Sequence, residues 1–439
     1  MSSNTFRIAA LLLLGAPCAS NAADLLQTYR AALEHDAVIS AARATHRAEQ
    51  EKLSQSRATL LPSVNLTANT AYNDASIKYK PSAPFPSSDN RYNSHGYGVN
   101  LVQPLFRQQG WQAYGIADLQ VAQSEAQLKN AEQDLILRVA QSYFDVLLAQ
   151  ENLQLSEAQK TAIAEQLNQA QQLFDSGNAT LTDVLEAQAR FDLTQAQTIT
   201  AQSALTTKHA TLQQLVKIPL DQLQPLGAQF KLEPPQPPAV QHWLDKAQDQ
   251  NLPLRVAKIA VELADKERIR NRGGHYPTLD IVANYAENYS NSPFGSDNRA
   301  ASVGVQLNMP LFQGGSINSK WREAEANRDR ARDNLTAAQR DVAVKTQQAF
   351  LGVGNGAAQV QALQQAFKSS ESLLAASKLG QSAGVRTNLD VLNAQQQLYA
   401  TRRDLAQAQY AYLYSQLQLE SVAGELTEED LVKVNLALY

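Results

Sequence analysis

Proline placement constrains this chain more than any other feature, because a proline in a helix interior costs about 3 kcal/mol. None occurs from Leu105 to Ile218, and none from Leu311 to Tyr439. Both stretches are rich in Ala, Gln, Leu and Glu, which are good helix formers, and both carry apolar residues at seven-residue spacing. Val391, Leu398, Leu405, Tyr412 and Leu419 form one seam; Val184, Phe191, Leu205 and Leu212 form another, interrupted by Thr198. Such seams predict packed, coiled-coil-like helices. Each stretch has one clear stop, at Asp175-Ser176-Gly177 and at Ser382-Ala383-Gly384, where the glycine suits a left-handed helix C-cap. The helix ahead of each stop is expected to run roughly 65 residues, on the order of 100 Å. No compact domain buries such a rod; an elongated assembly does.

Ahead of each helical stretch lie two segments with the alternation of half-buried strands. Val64, Leu66, Ala68 and Tyr72 alternate with Asn65, Thr67, Asn69 and Asn73, and Tyr97, Val99 and Leu101 with Gly98, Asn100 and Val102. Later, Leu279, Ile281, Ala283 and Tyr285 oppose Asp280, Asn284 and Ala286, while Ala301, Val303, Val305, Leu307 and Met309 oppose Ser302, Gly304, Gln306 and Asn308. The turn-rich segments between them, Ala75 to His95 and Asn288 to Arg299, read as exposed loops bearing aromatics. A transmembrane barrel and a soluble sandwich share this alternation. Four strands cannot close around a lumen, so the membrane reading requires several chains.

One unit is written twice. Asp36-Ala37 and Pro62 recur as Asn251-Leu252 and Pro277; Gln103-Pro104-Leu105-Phe106 recurs as Met309-Pro310-Leu311-Phe312; and Gly177 to Asp183-Val184-Leu185 recurs as Gly384 to Asp390-Val391-Leu392. Each unit reads helix, strand, loop, strand, very long helix, helix.

The first residues carry one charge, Arg7, then the apolar run Ile8 to Leu14 and small residues ending at Ala22, which is the pattern of a cleaved secretory signal. Cys18 falls inside it, and Pro17 before it argues against lipidation, so the mature chain is expected to lack cysteine. With 38 basic against 42 acidic side chains the balance is mildly acidic, unlike a nucleic-acid-binding surface. After the signal no apolar run is long enough for a membrane-spanning helix, which leaves membrane contact to strands.

Together, the signal, the two strand-loop-strand units each ending in a Pro-Leu-Phe corner, and the paired Gly-x5-Asp-Val-Leu turns resemble the TolC family of outer-membrane channel proteins. The resemblance implies a membrane α+β protein: a homotrimer whose twelve strands, four per protomer, close one outer-membrane β-barrel, continued by a long periplasmic α-helical barrel. It implies no cofactor, no metal and no covalent chemistry. Its implied partners are outer-membrane lipid, a periplasmic adaptor (membrane fusion) protein and an inner-membrane ABC, RND or MFS pump, for type I protein secretion or multidrug efflux. The expected organisation is a signal at 1–22 and a first repeat at 23–218, with strands about 63–74 and 96–106 and helices about 107–175 and 180–216. A proline-rich connector follows at 219–238. The second repeat spans 239–425, with strands about 278–289 and 300–312 and helices about 314–381 and 387–423, before a C-terminal equatorial segment at 426–439.

In the family the periplasmic tip is held shut by polar contacts at the paired helix turns, with acidic side chains ringing the pore. Matching positions are Gln166, Thr182 and Asp183 in the first repeat and Arg386 and Asp390 in the second. Gln381 stands where the TolC pattern has a gate tyrosine, and Asn393 where it has a second pore aspartate, so the tip is expected to be held differently and its carboxylate ring to be thinner. Weak cation block at Asp390 is the expected remnant.

Plainer readings stand beside these. Asp183 and Asp390 each follow a threonine by three residues, Thr180 and Thr387, the spacing of a capping pair. Arg386 has no counterpart in the first repeat, and Asp183 is its natural partner. Gly352, Gly354 and Gly356 suggest a bend in the second long helix or tolerated drift. The six histidines lack zinc-site spacing, and no nucleophile elbow occurs, which argues against an enzyme. A periplasmic coiled-coil adaptor or scaffold without a pore is the alternative that long helices alone would allow.

Overall fold

The computed structural model describes residues 23–78, 80–82, 84, 88–217, 223–227, 232–292, 295, 297–436 and 438. The signal segment and parts of the connector therefore lie outside the described residues. The first repeat contains α1 (Leu25–His35), α2 (Ala37–Ala58), β1 (Ser63–Ile77), β2 (Ser88–Phe106), α3 (Gln108–Asp175) and α4 (Leu181–Leu215). The second contains α5 (Val240–Gln250), α6 (Leu252–Arg272), β3 (Thr278–Ser290), β4 (Asn298–Asn308), α7 (Ser316–Ser382) and α8 (Asn388–Ala423), and α9 (Glu428–Leu436) follows.

Where the sequence suggests one helix ahead of each strand pair there are two, because Asp36 and Asn251 end one helix and cap the next. Asp36 accepts from the Ile39 N–H at 2.8 Å and Asn251 from the Leu254 N–H at 2.9 Å. Asp36 also takes both Nη groups of Arg138 on α3, at 3.0 and 3.1 Å. That guanidinium and two backbone bonds, one from Ile39, hold the Asp36 carboxyl below its ordinary pKa.

All four strands form one antiparallel sheet in the order β1-β2-β3-β4. The register puts Asn65, Asn100, Asn284 and Ser302 in one row and Leu66, Val99, Tyr285 and Ala301 in the next. Neighbouring rows point to opposite faces, so one face is polar and the other apolar. Leu66 is 74% and Val303 80% exposed in the single chain. An apolar face this open, on a sheet whose outer edges have no strand partner among the described residues, cannot rest in water alone.

The hairpins depart from the expected bounds. β1 runs to Ile77 and β2 starts at Ser88, so much of the segment expected as loop is strand. Polar residues can pair their backbones as well as apolar ones, and here cross-strand contacts help: Arg91 to Asp74 at 3.1 Å and Asn73 to Ser94 at 2.8 Å. β4 stops at Asn308, short of the Pro310 that cannot donate to a ladder. Glu287 interrupts the apolar face, but it is only 5% exposed. It accepts hydroxyls from Tyr97 at 2.5 Å, from Tyr289 at 2.6 Å and from Tyr285, with Arg299 at 3.1 Å.

At 1.5 Å per residue the 68-residue α3 and the 67-residue α7 are each about 100 Å long. α7 is continuous across Gly352, Gly354 and Gly356, without an interruption in its α-helical hydrogen bonding. A Cβ on Gly356 would lie 3.4 Å from the Tyr412 ring, and one on Gly354 would meet open space. The main apolar core lies near mid-length, where Leu135, Val139, Tyr143 and Phe144 of α3 meet Tyr410, Leu413 and Leu417 of α8 and Leu25 of α1. Two tyrosines fix the described parts of the connector to it. The Tyr143 hydroxyl accepts from the Gln224 N–H at 3.0 Å, and the Tyr412 hydroxyl donates to the Glu233 carbonyl at 2.6 Å.

Candidate functional site

At the far end of the helices α3 turns into α4 and α7 into α8 through near-identical corners. Gly177 and Gly384 adopt φ of 76° and 72°, and the Asn178 N–H reaches back to the Leu173 carbonyl at 2.8 Å as the Val385 N–H does to Gly380 at 2.9 Å. This left-handed closure satisfies the last carbonyls of each long helix. Thr180 and Thr387 then cap the returning helices through reciprocal bonds with Asp183 and Asp390. The Thr180 hydroxyl donates to Asp183 Oδ2 at 2.6 Å, and the Thr387 hydroxyl to Asp390 Oδ2 at 2.8 Å. These bonds hold both carboxyls below the ordinary aspartate pKa; at Asp390 the backbone bond from Thr387 leads and Arg386 contributes less. The capping reading of the two aspartates thus describes what they do in a single protomer.

Arg386 does not reach Asp183. Its Nη1 lies 3.6 Å from Asp390 Oδ1 on its own turn, with both side chains well exposed. A four-residue spacing on one helix start outcompetes a partner on the other hairpin. The stem of Arg386 lies over Gly380, where an added Cβ would come within 2.6 Å of its Cγ. Thr182 is exposed on the first turn of α4.

Gln166 and Gln381, on α3 and α7, are brought together by a residue that sequence reasoning missed. Gln166 Nε2 donates to Asn388 Oδ1 at 2.5 Å and lies 3.3 Å from Gln381 Oε1, while Gln381 Nε2 reaches the same Asn388 oxygen at 3.3 Å. Three amides on three helices therefore close one knot, with Gln166 only 6% exposed. Asn388 is the first residue of α8, a position whose sequence carries only a helix-start signal. Asn393 is engaged from the other side, by Arg190 of α4. Arg190 Nη2 donates to Asn393 Oδ1 at 3.2 Å and Nη1 to Gln396 Oε1. Arg190 and Gln396 were also not anticipated.

Around these contacts the packing is thin. The apolar cluster nearest the turns holds Ile163, Ala170, Val184, Ala187 and Leu392, and the buried side chains beside it include Gln159, Gln166, Thr194, Ser370, Ser377 and Gln395. Polar and small layers weaken a helix bundle relative to the leucine and tyrosine layers at mid-length. The turn end is therefore packed with less apolar material than mid-length. Among the described residues no cluster of His, Cys, Asp and Glu could hold a metal ion, and no helix is long and apolar enough to cross a membrane.

A four-stranded sheet, apolar outside and polar inside, set on two rods of about 100 Å that end in hydrogen-bonded turns, defines a protomer of an outer-membrane channel-tunnel. The chain belongs to the outer membrane efflux protein family, whose model matches residues 28–216 and 243–425. It is 33% identical over 411 residues to the alkaline protease secretion protein AprF of Pseudomonas aeruginosa, covering 93% of this chain and 85% of that protein. It is also 33% identical over 422 residues to outer membrane protein TolC of Vibrio cholerae, covering 95% and 94%. Among solved structures, the Campylobacter jejuni CmeC outer membrane channel shares the fold with a TM-score of 0.80 at 16% identity, over 94% of this chain and 90% of that one. The protein resides in the outer membrane, and channels of this family are passive trimers that work with adaptors and inner-membrane pumps.

Proposed function

We propose that this chain is the outer-membrane exit duct of a tripartite machine, serving type I protein secretion, multidrug efflux or both, and that its periplasmic tip is the gate. The sheet carries the first half of this reading. Its apolar face is open, its polar face continuous, and both outer strands lack a strand partner among the described residues, an arrangement that three copies would complete as a ring of twelve strands. A periplasmic adaptor or scaffold would have no use for such a face.

The contrast in packing supports the second half. A tip held by amide hydrogen bonds over a small, polar core costs less to part than the equatorial core, so opening concentrates there. Docking of an adaptor and an inner-membrane ABC, RND or MFS pump would supply the free energy. Gln166, Gln381 and Asn388 act as the lock, Asp183 and Asp390 shape the turns with Thr182 on the first turn of α4, and Asp390 and Asn393 face the constriction.

Deleting the gene tests the service. Loss of an exported protein from the medium points to type I secretion, and sensitisation to amphiphilic drugs points to efflux. A deletion strain unchanged in both would overturn the proposal.

A further inference from the structure

We propose that Arg190 sets the charge of the pore constriction and ties α4 to α8; the assignment rests on the channel reading above. Arg190 stands seven residues after Asp183, about 10 Å up the same helix. It reaches across to Asn393 and Gln396, which lie three and six residues after Asp390 on α8. α8 packs mainly on α7 and α3, so this guanidinium provides one of the few links between α4 and α8.

The charge argument follows from its partners. Arg386 and Asp390 pair with each other and largely cancel. Arg190 has two neutral amides as acceptors, and no ion pair among the described residues offsets it. With Asn393 in place of a carboxylate, each protomer contributes one guanidinium without an ion-pair partner among the described residues at this level, and a trimer contributes three; the Asp183 carboxylate, held by Thr180 rather than by a cation, lies about 10 Å lower on the helix. A narrow passage lined by fixed charge of one sign enriches the opposite ion. The constriction should thus show little preference for cations, and multivalent cations should block it poorly.

Ion selectivity across a planar bilayer, measured under a salt gradient, separates this from a purely structural role. Arg190→Gln keeps a hydrogen-bond donor but removes the charge, and the cation-to-anion permeability ratio is expected to rise about threefold or more. An unchanged ratio overturns the proposal. A second arm does not depend on that variant alone. Asn393→Asp should create only weak block by a trivalent cobalt hexammine, because Arg190 neutralises the new carboxylate, whereas R190Q/N393D should block strongly. Equal block in the single and double variants also overturns it. A wild-type protein that carries no current at all refutes the channel reading itself, and this assignment with it.

Discussion

Replacing Gln166 with alanine removes a donor that joins α3 to both α7 and α8 at the tip. Two hydrogen bonds disappear, to Asn388 at 2.5 Å and Gln381 at 3.3 Å. Each contributes about 0.5–1.5 kcal/mol net. The Gln381 oxygen loses this partner in a part-buried setting, and Asn388 keeps only the weaker Gln381 donor. The closed arrangement should lose about 2 kcal/mol per protomer. If three protomers open together, the closed-to-open ratio shifts by about 6 kcal/mol, roughly four orders of magnitude. Single-channel recording in planar bilayers is the assay, with heat-resistant trimers as the folding control. Gln166→Ala should show larger and longer openings than wild type. Trimers that assemble normally yet conduct as wild type would refute the amide lock.

Arg386→Ser should change conductance much less than Gln166→Ala, since its contact within the protomer is an exposed, solvent-screened pair; a larger effect would place its true partner on a neighbouring protomer. Asp183 and Asp390 have folded pKa values below their unfolded ones, so their contribution is complete above the ordinary carboxylate range and is lost as pH falls through the lowered values. The lock itself has no titratable group, so closed-state conductance should stay flat from about pH 8 to about pH 5; a steep rise in that interval would contradict neutral amides as the lock. Asp36→Ala removes a helix cap and the partner of Arg138, and should cost about 3 kcal/mol; trimers should dissociate at a clearly lower temperature, and unchanged dissociation would count against this joint. Gly354→Ala, in open space on α7, should be neutral or stabilise by up to about 1 kcal/mol, while Gly424→Ala, whose Cβ would lie 2.4 Å from the Gln250 carbonyl at a φ of 88°, should impair assembly; trimer yields test both.

The long helices were legible because their signals are redundant: absence of proline, seven-residue spacing, and a glycine at each stop. The strands were legible in their membrane-facing halves, where apolar and polar residues alternate. Beyond Asp74 the pattern fades because both faces of β1 and β2 are polar, although the backbone pairing continues to Ile77 and Ser88. The capping pairs were readable from Thr180-Asp183 and Thr387-Asp390, whose contacts are local. The partner of Arg386 was not, since a contact four residues away competed with one more than two hundred residues away. Asn388, Arg190 and Gln396 escaped for the same reason in reverse. Each bonds across helices far apart in sequence, and nothing in a polar residue on an exposed helix face marks which neighbour it will meet. Glu287 was not singled out either, because the three tyrosines and Arg299 that surround it on the apolar face meet it only through strand pairing and side-chain reach.

Closure of three of these sheets into one barrel can be tested directly. With no cysteine expected in the mature chain, one cysteine on each sheet edge, Leu66→Cys on β1 with Val303→Cys on β4, can be joined only across a seam when a short bifunctional maleimide is used, because the two lie at opposite edges of the sheet. Treated in outer membranes and run on a denaturing gel, the double variant should yield a covalent species of three chains and nothing larger. Protein that remains a monomer, or that forms an open ladder beyond three, would contradict the closed twelve-stranded ring.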